Sequence, residues 1–273
     1  MKSACAATTA DLEKYMENRL KITFLGTCAC DYSRKLKYSC RDKFDLNARR
    51  SSAMMIGDKY LIDCGEHAAD SLRIANVDTR KITDIFISHL HRDHYNRDNI
   101  AMIAKDHEIR LWVREDARVA PIENVTIVRI KPYEKYEVKS GLFVTGLEAN
   151  HDPNTFPQHF LFEKRSKRIL IGGDGGWFLN PTFKFLRKKK LALAVLDCTV
   201  GDYDGDFRIG EHNSIPMIRL LLPSLRTISA INDKTKIYLT HIAPSLHQPH
   251  AEIVETAREL GAEVAYDGLR IEI

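Results

Sequence analysis

His89-Leu90-His91-Arg92-Asp93-His94 is the stretch on which the reading of this sequence turns. Four side chains able to hold a metal fall within it, and with 11 His in 273 positions such a pattern arises by chance on the order of once in a thousand chains of this composition. Neutral imidazole and carboxylate are the donors that borderline metals such as zinc, manganese and iron accept. The hexapeptide follows an apolar run, 84–88, that reads as a strand. A turn leaving a strand can aim alternate side chains at one point.

Further candidate ligands also stand at strand ends. His151 follows the run 142–147, Asp174 lies in Gly172-Gly173-Asp174-Gly175-Gly176 after 168–171, and His241 follows 236–239. Strand ends that share one edge of a layered α/β fold bring distant parts of a chain together. Glycines on both sides of Asp174 are expected to let the backbone approach closely. Seven ligands are too many for one tetrahedral ion, so the pattern predicts a site for two metals.

Strands are expected at 21–25, 52–56, 60–63, 82–87, 110–113, 126–130, 142–147, 160–163, 168–171, 192–196 and 236–239, with a closing pair near Val264 and Ile271. Helices are expected at 99–105, 182–189, 215–222 and 251–260. Residues 1–20 read as a polar arm with a helix at 11–19, and 21–273 as one domain. The order, meander first and helix-strand units later, predicts two sheets with helices on their outer faces. The long polar segment Gly26 to Arg50 carries three Cys, and a loop of that length inside a domain is expected to be functional.

Composition excludes other classes. Lys+Arg number 41 against 37 Asp+Glu, a formal charge of +4, and 44% of the residues are hydrophobic, which excludes intrinsic disorder. The longest apolar run, Leu191 to Leu196, is far short of the roughly 20 residues that cross a bilayer. The first residues lack the apolar centre of a secretory signal, so a cytoplasmic location and no membrane partner are expected. The six Cys, at 5, 28, 30, 40, 64 and 198, read as thiols or metal ligands rather than a disulfide framework. Two basic runs, 164–168 and 187–190, read as a solvated hairpin turn and a helix end. A nucleic-acid partner is therefore disfavoured, and a homodimer is left open.

From Ile22 to Ile273 the ordered motifs, His89/His91/Asp93/His94, His151, Asp174 and His241, resemble those of the metallo-β-lactamase superfamily. The resemblance implies an α/β, four-layer αβ/βα sandwich with a binuclear metal site between its sheets. It implies that His89, His91 and His151 hold one metal, Asp93, His94 and His241 the other, and that Asp174 bridges them. Asp63, in Leu61-Ile62-Asp63-Cys64-Gly65, matches an acidic residue that supports such sites. True lactamases usually carry Cys where Asp174 stands, and the diiron oxygen-reducing branch carries a carboxylate where His91 stands. More specifically, Phe24-Leu25-Gly26-Thr27, Asn150-His151 with Thr155-Phe156, Leu196-Asp197-Cys198, Glu211-His212-Asn213, Leu239-Thr240-His241-Ile242 and Tyr266-Asp267-Gly268 resemble the PhnP-like cyclic phosphodiesterases. Those enzymes open a phosphoribosyl cyclic phosphate. Their extra structural zinc implies a site at Cys28, Cys30 and Cys40, although Pro244 stands where a fourth ligand, His, is expected, with His247 as a substitute for it.

Within this resemblance His212 matches a residue that contacts phosphate and serves as general acid. Phosphodiester cleavage needs a nucleophile at neutral pH and a proton for the departing alkoxide, which two metals and an imidazole of near-neutral pKa can supply. The expectation is thus a hydrolase using a hydroxide that bridges two Zn or Mn ions, with Fe also acceptable. Its substrate would be a small anionic phosphodiester, a cyclic phosphate above all, with Asp93, Asp174 and His212 central to the chemistry. The alternatives are a tRNA 3′-processing nuclease, whose substrate-gripping arm has no clear counterpart here, a thioester or lactone hydrolase, and a metal-binding protein without turnover.

Overall fold

A computed structural model describes residues 19–31 and 42–273. Cys40 lies outside them, as does the helix expected at 11–19 apart from Arg19.

Fourteen strands are formed by the described residues. Seven make the first sheet, in the order β14 (Arg270–Glu272), β1 (Lys21–Gly26), β2 (Ala53–Ile56), β3 (Tyr60–Ile62), β4 (Asp84–Phe86), β5 (Ile109–Arg114) and β6 (Val125–Ile130). The second runs β13 (Glu263–Val264), β12 (Lys236–Thr240), β11 (Leu193–Asp197), β10 (Lys167–Gly172), β9 (Gln158–Lys164), β8 (Leu142–Glu148) and β7 (Lys135–Lys139). Each half of the chain begins with antiparallel neighbours and turns parallel, at β3–β4 in the first sheet and β10–β11 in the second. Parallel strands need crossovers, which helices provide except between β5 and β6, where residues 115–124 form a helix-free connection.

These helices are α1 (Ala68–Ile74), α2 (Arg97–Ile103), α3 (Asn180–Leu186), α4 (Ile215–Thr227) and α5 (His250–Glu259). Leu72, Ile100 and Ile103 pack with Leu61 and Ile85 on the outer face of the first sheet. Leu186, Ile218, Leu222, Leu225 and Ile253 pack with Leu196 and Leu239 on the outer face of the second. Between the sheets a third cluster joins Phe24, Phe86 and Trp112 to Phe160, Phe162 and Tyr238. Phe86 stacks on Trp112 at 5.4 Å and meets Phe162 edge-on at 5.0 Å. The result is the expected four-layer sandwich. The inner strands β4 and β11 are buried along their whole length, which is why they read as continuous apolar runs rather than alternating ones.

Three expectations need correction. The strands near Val264 and Ile271 do not pair with each other: β13 adds to β12 and β14 to β1, so the closing segment crosses from one sheet to the other. Helix α4 runs past Leu222 to Thr227 with Pro223 inside it. A proline removes one amide and crowds the preceding turn, but Leu221, Leu222 and Leu225 anchor the helix in the core on both sides of it. Strand β7 and helix α1 were not foreseen. No helix among the described residues is long and apolar enough to cross a membrane.

Candidate metal centre

The candidate ligands follow the C-terminal ends of strands, and β8, β10 and β12, which precede three of them, run parallel to one another. His89 to His94 form the turn after β4, and Asp63 follows β3. His151 lies past the end of β8, Asp174 just after β10, and His241 directly after β12. The turn is clamped on both sides: the His94 and Tyr95 amides donate to His91 O at 2.9 and 2.8 Å, and the Asn96 side chain caps α2 by accepting from Asn99 N at 2.9 Å. Asp63 and His241 both sit at left-handed φ, 59° and 58°. For non-glycine residues this conformation costs of order 1–3 kcal/mol and is retained where surrounding structure enforces it.

All seven predicted ligands converge. His89, His91, His151 and Asp174 offer donor atoms within 4.8 Å of one another, and so do Asp93, His94, Asp174 and His241. Asp174 belongs to both groups. Its Oδ2 is 3.5 Å from His89 Nε2 and 3.9 Å from His151 Nε2, while Oδ1 is 3.2 Å from His94 Nε2 and 2.9 Å from His241 Nε2. Despite those approaches the buried Oδ1 has no hydrogen-bond partner.

Hydrogen bonds on the outer nitrogens set the orientation of the rings. The Asp63 carboxylate accepts from Ser88 N at 2.7 Å and Ser88 Oγ at 2.9 Å. It also accepts at 2.7 Å from His94 Nδ1, which therefore carries the proton. Because the Ser88 hydroxyl is committed to Asp63, His89 Nδ1 donates to Ser88 Oγ at 3.0 Å. By the same logic Thr199 Oγ1 donates to Asp197 Oδ2 at 3.2 Å and accepts from His241 Nδ1 at 2.7 Å. His151 Nδ1 donates to Glu211 O at 3.2 Å. In His89, His94, His151 and His241 the outer nitrogen spends its hydrogen away from the cluster, so the inner nitrogen is the one left to take a metal ion or, without one, a proton.

His91 Nδ1 lies 3.1 Å from both His89 Nε2 and His151 Nε2, and His94 Nε2 lies 3.3 Å from His241 Nε2. Ligands about 2.0–2.1 Å from a tetrahedral ion would be separated by roughly 3.3–3.4 Å. The donor set fits divalent metal ions, one held by His89, His91 and His151, a second by Asp93, His94 and His241, with Asp174 facing both.

Electrostatics point the same way. Burial pulls the His94 and His241 imidazoles down, but Asp174, Asp93 and their acidic neighbours outweigh it. His94 stands well above its ordinary value and His241 is pushed up to about 10. Burial works against ionisation of Asp174 too, yet His241, His94 and His89 hold it well below the usual carboxylate range. The cluster demands positive charge, and protons supply it where metal ions otherwise would.

His212 stands beside this cluster, its ring 4.9 Å from that of His151 and stacked at 5.4 Å on that of His241. Its Nδ1 donates to Asp197 Oδ2 at 2.8 Å, and no described residue bonds Nε2. Burial lowers its pKa, but Asp197 outweighs burial and the net direction is upward. Asp197 is a hub that sequence reading left without a role. It also accepts from Thr199 N, Asn213 N and Gly175 N. Its signal was a lone carboxylate at the end of a fully apolar strand. Ser88, Thr199 and the Glu211 carbonyl carried no comparable mark, since hydroxyls and backbone atoms are everywhere.

The site opens into a cleft of about 420 Å³ that Cys30, Asp31, Arg92, Arg208 and Glu211 also line. The predicted functional loop thus reaches the cleft through Cys30 and Asp31. Cys28 is buried, Cys30 is exposed, and neither joins a metal-type cluster among the described residues. The expected role of both glycines flanking Asp174 holds for one only. A Cβ on Gly175 would come within 2.7 Å of His159 Cε1, whereas one on Gly173 would meet nothing within 4 Å.

Comparison with known proteins agrees with this architecture. A family model described as anti-Pycsar protein Apyc1 matches residues 20–110. Ribonuclease Z from Methanothermobacter thermautotrophicus is 34% identical over 76 residues, and that from Methanococcus maripaludis strain C6 38% over 76. Each match takes in 28% of this chain and spans about a fifth of the relative's length. Among solved structures, the metallo-β-lactamase fold protein YhfI from Bacillus subtilis superposes with a TM-score of 0.71 at 14% identity, over 93% of this chain and 99% of that one. A diphosphatase from the PhnP family gives 0.68 at 20% identity, over 93% and 97%. The short form of human tRNase Z gives 0.64 at 18%, over 92% and 98%.

Proposed function

We propose that this chain, which has the metallo-β-lactamase fold, is a two-metal hydrolase of small phosphodiesters, cyclic phosphates above all. The observation that carries the reading is the pair of inward-facing nitrogen clusters joined by the two oxygens of Asp174. Hydrogen bonds fix the outer nitrogens named above, so the inner ones are preorganised to meet cations.

Metal ions bound there would lower the pKa of a water and offset charge growing on the phosphoryl oxygens. The protein's own part begins with orientation. Asp63, Ser88, Thr199 and the Glu211 carbonyl set the imidazoles so that their inner nitrogens face the cluster. His212 supplies the proton. With Nδ1–H held by Asp197, Nε2 carries a hydrogen only in the imidazolium form, and Asp197 favours that form. Nε2 can then deliver its proton to a departing alkoxide, after which Asp197 keeps the neutral ring in place.

The test is a substrate panel with Mn- or Zn-loaded protein. Hydrolysis of bis(p-nitrophenyl) phosphate and of at least one ribose or nucleoside cyclic phosphate is expected, with little action on β-lactams. The stretch similar to ribonuclease Z makes precursor tRNA a necessary arm; preference for it would replace the small-substrate reading. Inertness towards every phosphodiester, with efficient thioester or lactone cleavage, would overturn the phosphodiesterase reading.

A further inference from the structure

We infer that Arg208 selects an anionic substrate, gripping a non-bridging phosphodiester oxygen with the free edge of its guanidinium. The inference rests on the phosphodiesterase reading and names the residue that gives it specificity.

Arg208 lines the same cleft as His212 and the metal cluster. Its position is tied directly to the proton donor: the Arg208 carbonyl accepts from Glu211 N at 2.9 Å and from His212 N at 2.8 Å. Its side chain is held as firmly. The Asp206 carboxylate accepts from Arg208 N at 2.8 Å, Nε at 2.8 Å and Nη2 at 2.6 Å. Nη1 has no partner among the described residues. A guanidinium gripped along one edge and open along the other is the form in which arginine recognises phosphate, with little rotamer freedom left to lose.

Folding does not account for the arrangement. The Arg208 side chain is 37% exposed, and exposed ion pairs contribute about 0–1 kcal/mol to stability. The cleft also has a need for the charge, because Asp31 and Glu211 line it and repel an anion. The other arginine there, Arg92, is 72% exposed and its Nε reaches Glu66 only at 3.5 Å, so it is far less fixed.

The experiment compares wild type, Arg208→Ala, Arg208→Lys and Asp206→Asn in the metal-loaded protein. For bis(p-nitrophenyl) phosphate, Arg208→Ala should raise KM about tenfold or more while kcat stays within about threefold, the loss of one charge-assisted contact. Calorimetric binding of diethyl phosphate, which is not turned over on that timescale, should weaken by a similar factor. Arg208→Lys should recover part of the loss, since a point charge replaces the fork, and Asp206→Asn should fall between wild type and Arg208→Ala. Unchanged KM and diethyl phosphate affinity in an active Arg208→Ala protein would overturn this inference alone. A fall in kcat with binding unchanged would also overturn it, by showing that Arg208 serves only to hold the His212 turn. A wild type inert to all phosphodiesters would remove the activity reading and this one together.

Discussion

At the scale of single residues, the proposed function assigns proton delivery to His212. Its Nδ1 is committed to Asp197 and its ring lies against the imidazoles of two candidate ligands, His151 and His241, so replacement by Ala should spare metal binding and slow turnover about a hundredfold. Leaving-group dependence separates proton transfer from phosphate positioning. A nitrophenolate departs unaided and should suffer less than an alkoxide; equal losses for both would remove the general-acid role. The seven candidate ligands were legible because each is a His or Asp at or just past the end of a strand. Asp63 was legible only through its motif, and Asp197 not at all as a functional group. What distinguishes Asp197 is that five donors converge on it, and convergence is a property of the fold.

At the scale of elements, the segment after β3 and the turn carrying His89 to His94 are built against each other. Cys64 N donates to His94 O at 2.8 Å, Asn96 N donates to Cys64 O at 2.7 Å, and a Cβ on Gly65 would lie 2.0 Å from Asp93 O. Backbone cannot yield as a flexible side chain can. Gly65→Ala should therefore cost several kcal/mol of stability, of order 3 or more, and weaken metal binding through Asp93 and His94. Gly173→Ala, with open space around its Cβ, should be tolerated within about 1 kcal/mol. Denaturant midpoints and metal titrations of the two variants check the contrast, and equal behaviour would contradict the close backbone approach at Gly65. Elements that the sequence concealed share a physical cause. In β7 only Val138 is buried, as suits a charged edge strand. In α1 the buried positions are Ala68, Ser71 and Leu72, too small and too polar to trace an apolar stripe. β13 and β14 looked like a hairpin because nearness in sequence says nothing about which sheet a short strand joins.

At the scale of the whole molecule, the fold buries a titratable group that the proposed chemistry does not use. His159 is fully buried between Phe178 and the Gly175 backbone, and neither ring nitrogen has a partner. Burial lowers its pKa from 6.5 to about 4. The folded state thus favours the neutral ring, so this contribution is present above pH 6.5 and is lost as pH falls towards 4, by about 3 kcal/mol in all. His159→Phe should lose less stability than wild type between pH 7 and 4.5, measured by chemical denaturation; parallel curves would contradict it. The layered order of the chain was readable from its apolar runs, and the convergence of seven ligands from strand ends that follow from it. The depth to which each tautomer is fixed was not readable, since it depends on hydroxyls and carbonyls drawn from both sheets.

Metal dependence tests the central claim most directly. Protein stripped by a chelator should be titrated with Mn or Zn at neutral pH while hydrolysis of bis(p-nitrophenyl) phosphate is followed. Two clusters that share Asp174 predict that activity rises with added metal and reaches its plateau at two equivalents per chain. A plateau at one equivalent, or full activity in the stripped protein, would contradict the two-metal account.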